Sequence, residues 1–308
     1  MKQAVLLMAY GSPPSLEEVE AYYAHIRGGR RPSPELLAEL VERYRAIGGR
    51  SPLPEITARQ AAALEEALRR RGHPVPVRVG MKHSAPFIAD AVQALAAAEV
   101  THLVGLVLAP HYSRMSIGQY VAAAEAARPA GMTAAYVEQW HDHPGYLRAV
   151  ADRVHAGLAG LPEPATVVFT AHALPERILA WDDPYPRQVE ESARLAAALA
   201  GVERWTVAYQ SAGRTAEPWL GPDLRSTLAD LRRRGVRAVL VAPIGFVADH
   251  LEVLYDVDLE ARSEAERLGM RLARTAMPND APDFIAALAD LVAPRLRGAA
   301  PQREGPRP

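Results

Sequence analysis

The sequence predicts an α/β protein of two similar lobes, each a parallel sheet covered by helices on both faces, and three observations carry that expectation. Eight short apolar runs, at 4–8, 75–79, 103–109, 134–137, 165–170, 205–209, 238–243 and 271–273, alternate with stretches whose apolar residues recur at helical spacing. The runs fall into two groups of four, and the break between them coincides with the turn-forming sequence His141-Asp-His-Pro-Gly. A length of 308 residues exceeds one typical domain and suits two lobes that meet at a cleft. The expected division is an N-terminal lobe over 1–144, a C-terminal lobe over 145–296, and a flexible tail over 297–308 that is rich in Pro, Gly, Arg and Ala.

In chain order, the first run leads into the loop Met8-Ala-Tyr-Gly-Ser-Pro-Pro, and helical spacing then covers 34–47 and 58–70. Helices over 86–98 and 118–127 separate the next three runs. The second group opens on a helix over 145–158, has helices over 186–199 and 223–233 between its strands, and contains a loop-to-helix segment beginning at Asp249. Ligands of open parallel sheets sit beyond the carboxyl ends of the strands. The loops Met8-Ala-Tyr-Gly-Ser-Pro-Pro, Leu108-Ala-Pro-His-Tyr-Ser, Thr170-Ala-His-Ala-Leu-Pro-Glu and Pro243-Ile-Gly-Phe-Val-Ala-Asp-His are therefore the places where function is expected.

Composition narrows the chemistry. Lys and Arg total 35 against 36 Asp and Glu, and no basic run resembles a nucleic-acid stripe, so nucleic acid is not an expected partner. The chain has no Cys, which excludes disulfides, thiolate zinc sites and a Cys-ligated iron–sulfur cluster. Metal chemistry must then use His, carboxylate or Tyr. The first apolar run is too short for a signal segment and no stretch reaches about 18 apolar residues, so a cytoplasmic protein without an integral membrane segment is expected. Neither a Walker motif nor Gly-x-Gly-x-x-Gly follows the first strand, and the Gly-x-Ser-x-Gly and His-Glu-x-x-His patterns are absent.

Two features stand out among the remaining polar residues. Glu252, Asp256 and Glu260 follow one another at intervals of four, which on a helix makes one acidic stripe. Like charges at this spacing repel, so the stripe reads equally as a solvated face or as a site for a hard divalent cation. His172 follows an apolar strand, where an imidazole either completes structural hydrogen bonds or binds metal and moves protons. His83 and His111 carry the same two readings, and His141-Asp-His143 reads as a polar surface loop rather than a chelating triplet.

The motifs in combination resemble the ferrochelatases. Those that carry the likeness are Met8-Ala-Tyr-Gly-Ser-Pro, Arg43-Tyr-Arg-Ala-Ile-Gly-Gly-Arg-Ser-Pro-Leu, Leu108-Ala-Pro-His-Tyr-Ser, Thr170-Ala-His-Ala-Leu-Pro-Glu, Gln210-Ser-Ala-Gly with Pro218-Trp-Leu-Gly-Pro-Asp, and Pro243-Ile-Gly-Phe-Val-Ala-Asp-His-Leu-Glu-Val-Leu-Tyr-Asp. They run in family order over about residues 3–296. The resemblance implies the chelatase fold, two Rossmann-like lobes that are each a four-stranded parallel sheet flanked by helices, with a cleft between them. It implies that His172 and Glu252 face each other across a porphyrin as metal ligands or proton acceptors, with His172 neutral and Glu252 ionised. Tyr10 matches a tyrosine that reaches iron from the other porphyrin face in the short coproporphyrin-type enzymes, and Arg27, Arg43, Tyr44, Ser51 and Tyr120 match their porphyrin pocket. Asp256 and Glu260 match an outer metal site that takes an auxiliary divalent cation or leads cations inward.

The activity so implied is insertion of Fe2+, as substrate, into coproporphyrin III to give coproheme, by a monomer with no organic cofactor. Protoporphyrin IX is the nearest alternative substrate, and a non-catalytic haem- or siderophore-binding protein is the alternative from another class. Residues 12–34 favour coproporphyrin, because Arg27, Arg30 and Arg31 make the region basic and the four propionates of that substrate reward a polar rim.

Overall fold

Successive parallel strands must be joined by a crossover, and the alternation of elements places helix before each strand after the first. The computed structural model describes residues 2–162 and 164–296, so the expected tail over 297–308 lies outside the described residues. The chain opens with β1 (Gln3–Ala9), followed by α1 (Val19–Ile26), α2 (Pro34–Ala46) and α3 (Leu53–Arg70). Next come β2 (Val77–Met81), α4 (Ile88–Ala97), β3 (His102–Val107), α5 (Ile117–Ala127) and β4 (Thr133–Val137). The second half runs α6 (Pro144–Leu158), β5 (Ala165–His172), α7 (Tyr185–Ala200), β6 (Trp205–Gln210), α8 (Leu224–Arg233) and β7 (Ala238–Ala242). A π-helical stretch, Val253–Ala261, continues into α9 (Arg262–Arg267), and β8 (Arg271–Arg274) and α10 (Pro282–Val292) complete the fold.

The two sheets have the same topology, β2-β1-β3-β4 and β6-β5-β7-β8, and all their strands are parallel. Alternating side chains point to opposite faces of a strand, which explains why the central strands are apolar throughout. From β1, Ala4, Leu6 and Met8 enter one core with α4 and α5, while Val5 and Leu7 enter another. That second core also takes Val167, Phe169 and Ala171 from β5 and Leu240 and Ala242 from β7, so it is shared by both halves of the chain. Leu64 and Leu68 of α3, Tyr146 and Val150 of α6, and Phe284 and Leu288 of α10 fill it.

Two expectations are corrected. The second strand starts at Val77 rather than 75, because Pro74 and Pro76 have no N–H to donate to a ladder. The polar region after β1 contains α1, and 282–292 forms α10; neither was expected as a helix. The signal for α10 was present, since Pro282 at its first position and buried Phe284, Ile285, Leu288 and Val292 give a helix start and an apolar face.

Candidate active site

In each sheet the strand order reverses between its first and third strands in sequence, between β1 and β3 and between β5 and β7, and crevices open beyond such points. His172 is the last residue of β5 and Glu252 follows the loop after β7, so the second switch point brings them together. His172 Nε2 lies 3.4 Å from Glu252 Oε1. His172 Nδ1 meets the Ala173 carbonyl, and because a carbonyl only accepts, Nδ1 carries the hydrogen and Nε2 is the atom presented to Glu252. Tyr185 Oη donates to the His172 carbonyl at 2.8 Å, pinning the backbone there.

This contact corrects the expectation that the pair faces across a porphyrin. Side chains that touch at 3.4 Å leave no room for a macrocycle between them, so they form one unit. The expected neutral imidazole is corrected as well. Burial pushes the His172 imidazolium down, but the charge and hydrogen bond of Glu252, with the Ala173 carbonyl and Asp256, outweigh it and lift the pKa to about 9. Burial pushes Glu252 up, yet His172 and His250 hold it well below the usual carboxylate range. At neutral pH the pair is imidazolium and carboxylate.

Sequence reasoning missed His250, whose Nε2 lies 3.6 Å from the second oxygen, Glu252 Oε2. Its Nδ1 donates to the Ala248 carbonyl at 3.0 Å and its ring packs on Phe246 at 4.6 Å. Glu252 is thus flanked by two imidazoles of fixed orientation. The Asp249-His-Leu-Glu string contained the signal, but a helical reading places residues two apart on different faces.

The acidic stripe is present in altered form. Residues 253–261 are π-helical, so the helix is wider than the α-helix on which the spacing of four was read, and such segments concentrate at functional sites. The stripe is not a bare solvated face either. Arg43 of α2 crosses to it, with Nη1 3.5 Å from Asp256 Oδ1, Nη2 3.8 Å from Glu260 Oε2, and its guanidinium 4.7 Å from the Tyr255 ring centre. Ser211 Oγ donates to Asp256 Oδ2. Burial and the charge of Glu252 raise Asp256 to about 6, against the pull of Arg43 and Ser211. Among the described residues no group of three or more His, Cys, Asp or Glu side chains could hold a metal ion by itself.

The N-terminal half supplies an aromatic and cationic wall. Tyr10, just past β1, is 41% exposed, and Lys82 Nζ sits 5.9 Å from its ring centre and 5.2 Å from that of Tyr120. Burial lowers the Lys82 pKa to about 8. Lys82 was also missed, although it is one of only two lysines in the chain, with Lys2. His83 packs on Tyr10 with ring centres 4.6 Å apart and meets His25 Nδ1 at 3.0 Å; burial, then Lys82 and His25, lower it to about 3, which keeps it neutral. Tyr44 is buried with its hydroxyl 3.2 Å from Ser12 Oγ, and Tyr22 donates to the Gly11 carbonyl at 3.1 Å. Desolvation raises the pKa of the Tyr22, Tyr44 and Tyr120 phenols and the charge of Glu252 adds to it, so all three lie within its electrostatic reach. Arg27 caps α1 with its Nε buried and without a partner, whereas the Ser51 hydroxyl is occupied in accepting from Leu53 N–H at 3.2 Å at the start of α3.

His111 and His141 are held in structural hydrogen bonds. Within the expected surface loop His141 is buried, while Asp142 stays exposed: the His141 Nε2 lies 3.0 Å from Glu191 Oε2 and its carbonyl accepts from Ser192 Oγ at 2.7 Å. Packing of this loop against α7 buries it. Since the Ser192 hydrogen is committed there, His111 Nε2 is the donor to Ser192 Oγ at 2.9 Å, and burial, then His141, lower His111 to about 3.

Comparison with known proteins identifies the fold and the family. The structure resembles SirB from Bacillus subtilis with Fe3+, at a TM-score of 0.59 and 16% identity over 96% of each chain. It also resembles CbiX, the terminal enzyme of siroheme biosynthesis in denitrifying bacteria, at 0.57 and 15% over 94% of this chain and 97% of that one. These likenesses establish the chelatase fold alone. In sequence the chain is 46% identical to a coproporphyrin III ferrochelatase of Geobacillus kaustophilus over 94% of this chain and 95% of the relative. It is 44% identical to one of Bacillus subtilis, over 96% and 98%, and 43% identical to a ferrochelatase of Deinococcus radiodurans, over 94% of each. The family model Ferrochelatase matches residues 2–296. With nearly the whole described chain matched and the His172–Glu252 pair at the switch point of a chelatase fold, the chain belongs to the ferrochelatase family.

Proposed function

We propose that the protein inserts Fe2+ into coproporphyrin III, releasing two protons and giving coproheme. The observation that carries this reading is the His172–Glu252 contact at the strand ends, opposed by the Tyr10, Lys82 and Tyr120 wall of the other sheet. The substrate follows from the relatives named for it and from the basic residues Arg27, Arg30, Arg31 and Lys82, which suit four propionates.

The chemistry requires that two pyrrole N–H protons leave and that iron exchange water for four nitrogens. Contacts along the rim of the ring hold it in the cleft, and pressure on its face exposes the nitrogen lone pairs, with binding energy from the periphery supporting the strain. Tyr10 faces the ring from one side. His172 and Glu252 act from the other. The resting pair holds one proton, on His172, so His172 must release it before it can act as a base. Arrival of Fe2+ beside Glu252 supplies positive charge that replaces the imidazolium and drives that proton off. The freed Nε2 and the Glu252 carboxylate then take pyrrole protons or pass iron, and His250 steadies the second carboxylate oxygen. Asp256 and Glu260 concentrate cations on the way in, with Arg43 balancing their charge when no cation is present. The protein works in the cytoplasm as a monomer without an organic cofactor.

His172→Ala tests the reading. Insertion is abolished while porphyrin affinity stays within about tenfold, because rim contacts dominate binding. Near wild-type turnover in that variant would remove the pair from the mechanism.

A further inference from the structure

We propose that Gln210 is the positioning residue that sets the contact between His172 and Glu252, acting on both through its backbone and its side-chain amide. The proposal rests on the reading of that pair as catalytic. Gln210 ends β6, is buried, and stands directly opposite His172 in the register of β5 and β6. Its carbonyl accepts from Ala173 N–H at 2.7 Å, which fixes the chain immediately after His172. Its side chain then bridges to the other partner. Oε1 accepts from Thr170 Oγ1 at 2.7 Å, two residues before His172, and Nε2 donates to the Glu252 carbonyl at 3.3 Å.

The orientation of the amide follows from its neighbours. The Glu252 carbonyl can only accept, so the NH2 end must face it, and the oxygen end is left for the Thr170 hydroxyl. One side chain therefore ties the end of the strand that bears His172 to the backbone of the helix that bears Glu252. The two catalytic groups stand on different elements, one on a strand and one at the entry to a π-helical stretch, so their relative position needs such a tie. Gln210 does not reach the reacting atoms. It acts by geometry, and a misplacement of about 1 Å in an active site can cost about a hundredfold in rate.

Three substitutions test this: Gln210→Met, which keeps length and removes the hydrogen bonds of the amide to Thr170, Glu252 and Ser211; Gln210→Asn, which keeps the amide on a shorter stem; and Thr170→Val, which removes the donor to the amide oxygen. Anaerobic Fe2+ insertion is measured with saturated kcat and porphyrin KM resolved separately, and thermal melts report folding. In Gln210→Met, kcat falls at least about tenfold while porphyrin KM stays within about twofold. Gln210→Asn recovers part of the loss, and Thr170→Val lowers kcat but adds nothing further in the Gln210→Met background. A folded Gln210→Met with wild-type kcat, or with the loss in KM alone, overturns the proposal. If Gln210→Met does not fold, wild-type kcat in both Gln210→Asn and Thr170→Val overturns it. Turnover retained in His172→Ala would instead defeat the catalytic reading itself, so the two failures are distinguishable.

Discussion

A histidine with its pKa lifted to about 9 beside a carboxylate has a defined pH signature. Its folded pKa lies above the ordinary 6.5, so the stability it contributes is fully present below pH 6.5 and is lost as pH rises through about 9. Glu252 is shifted the other way, and its contribution is present above its ordinary 4.5 and lost as pH falls through its depressed folded value. An NMR titration of the His172 ring should therefore find a midpoint near 9, and in Glu252→Gln a lower midpoint, since burial then works against the Ala173 carbonyl and Asp256 alone. A wild-type midpoint near 6.5 would mean that the two side chains do not pair. Among the acids, Glu260→Gln should raise the apparent KM for Fe2+ more than it lowers saturated kcat, whereas Glu252→Gln should chiefly lower kcat. A merely solvated face would leave both constants unchanged at 260, and thermal melts separate loss of fold from loss of the metal effect. At this scale the sequence pointed to the residues of the proposed site more readily than to their arrangement. His172 and Glu252 were legible through their motifs, but their direct contact, and the protonation that follows from it, depend on loop closure that no spacing encodes. Lys82 and His250 were overlooked because their roles come from burial and from a partner far away or on a bend.

At the scale of elements, the loop after β7 decides where Glu252 sits, and it is held unusually closely against β5. Gly245 N–H donates to the Thr170 carbonyl at 3.0 Å, and a Cβ on Gly245 would lie 2.7 Å from both the Cα and the Cβ of Ala171, next to His172. The far end of the loop is tied down by Asn279, which accepts from Asp249 N–H at 2.9 Å and donates to Asp249 Oδ2 at 2.8 Å. Gly245→Ala must separate the loop from β5, so it should cost about 1–3 kcal/mol of stability and lower kcat more than porphyrin affinity. A melting temperature and kcat equal to wild type would show that the contact is slack. The strands were legible because buried parallel strands are apolar throughout, and the amphipathic helices α2, α3, α7 and α8 were legible by their period. The π-helical stretch was not, because its sequence keeps a spacing of four that fits an α-helix equally well and only the backbone reveals the wider turn. The residues of α1 were read as a polar lip, since its eight positions carry a single buried residue, Val19, and too little periodicity to stand out.

For the molecule as a whole, the two sheets are joined by more than the chain that links them. The shared core runs from Val5 and Leu7 to Phe169 and Leu240, α10 packs on both α3 and α6, and the 111–114 loop is bound to α7 and the turn that precedes it. There Asp183 accepts from Ser113 Oγ at 3.0 Å and from Arg114 N–H at 2.9 Å, and Tyr112 N–H donates to Gln188 Oε1 at 2.6 Å. The duplication of topology was legible in two groups of four apolar runs. The seam was not, because its histidines and carboxylates look like surface polarity until both halves are placed. In the function proposed, a flat substrate enters at the strand ends, with the acid–imidazole pair on one side and the Tyr10–Lys82 wall on the other. No helix among the described residues is long and apolar enough to cross a membrane. A basic rim fitted to four carboxylates is the central claim about specificity, and it is tested most directly by anaerobic Fe2+ insertion with coproporphyrin III and protoporphyrin IX compared under identical conditions. The account predicts a higher kcat/KM for coproporphyrin III, and equal or better use of protoporphyrin IX would contradict it.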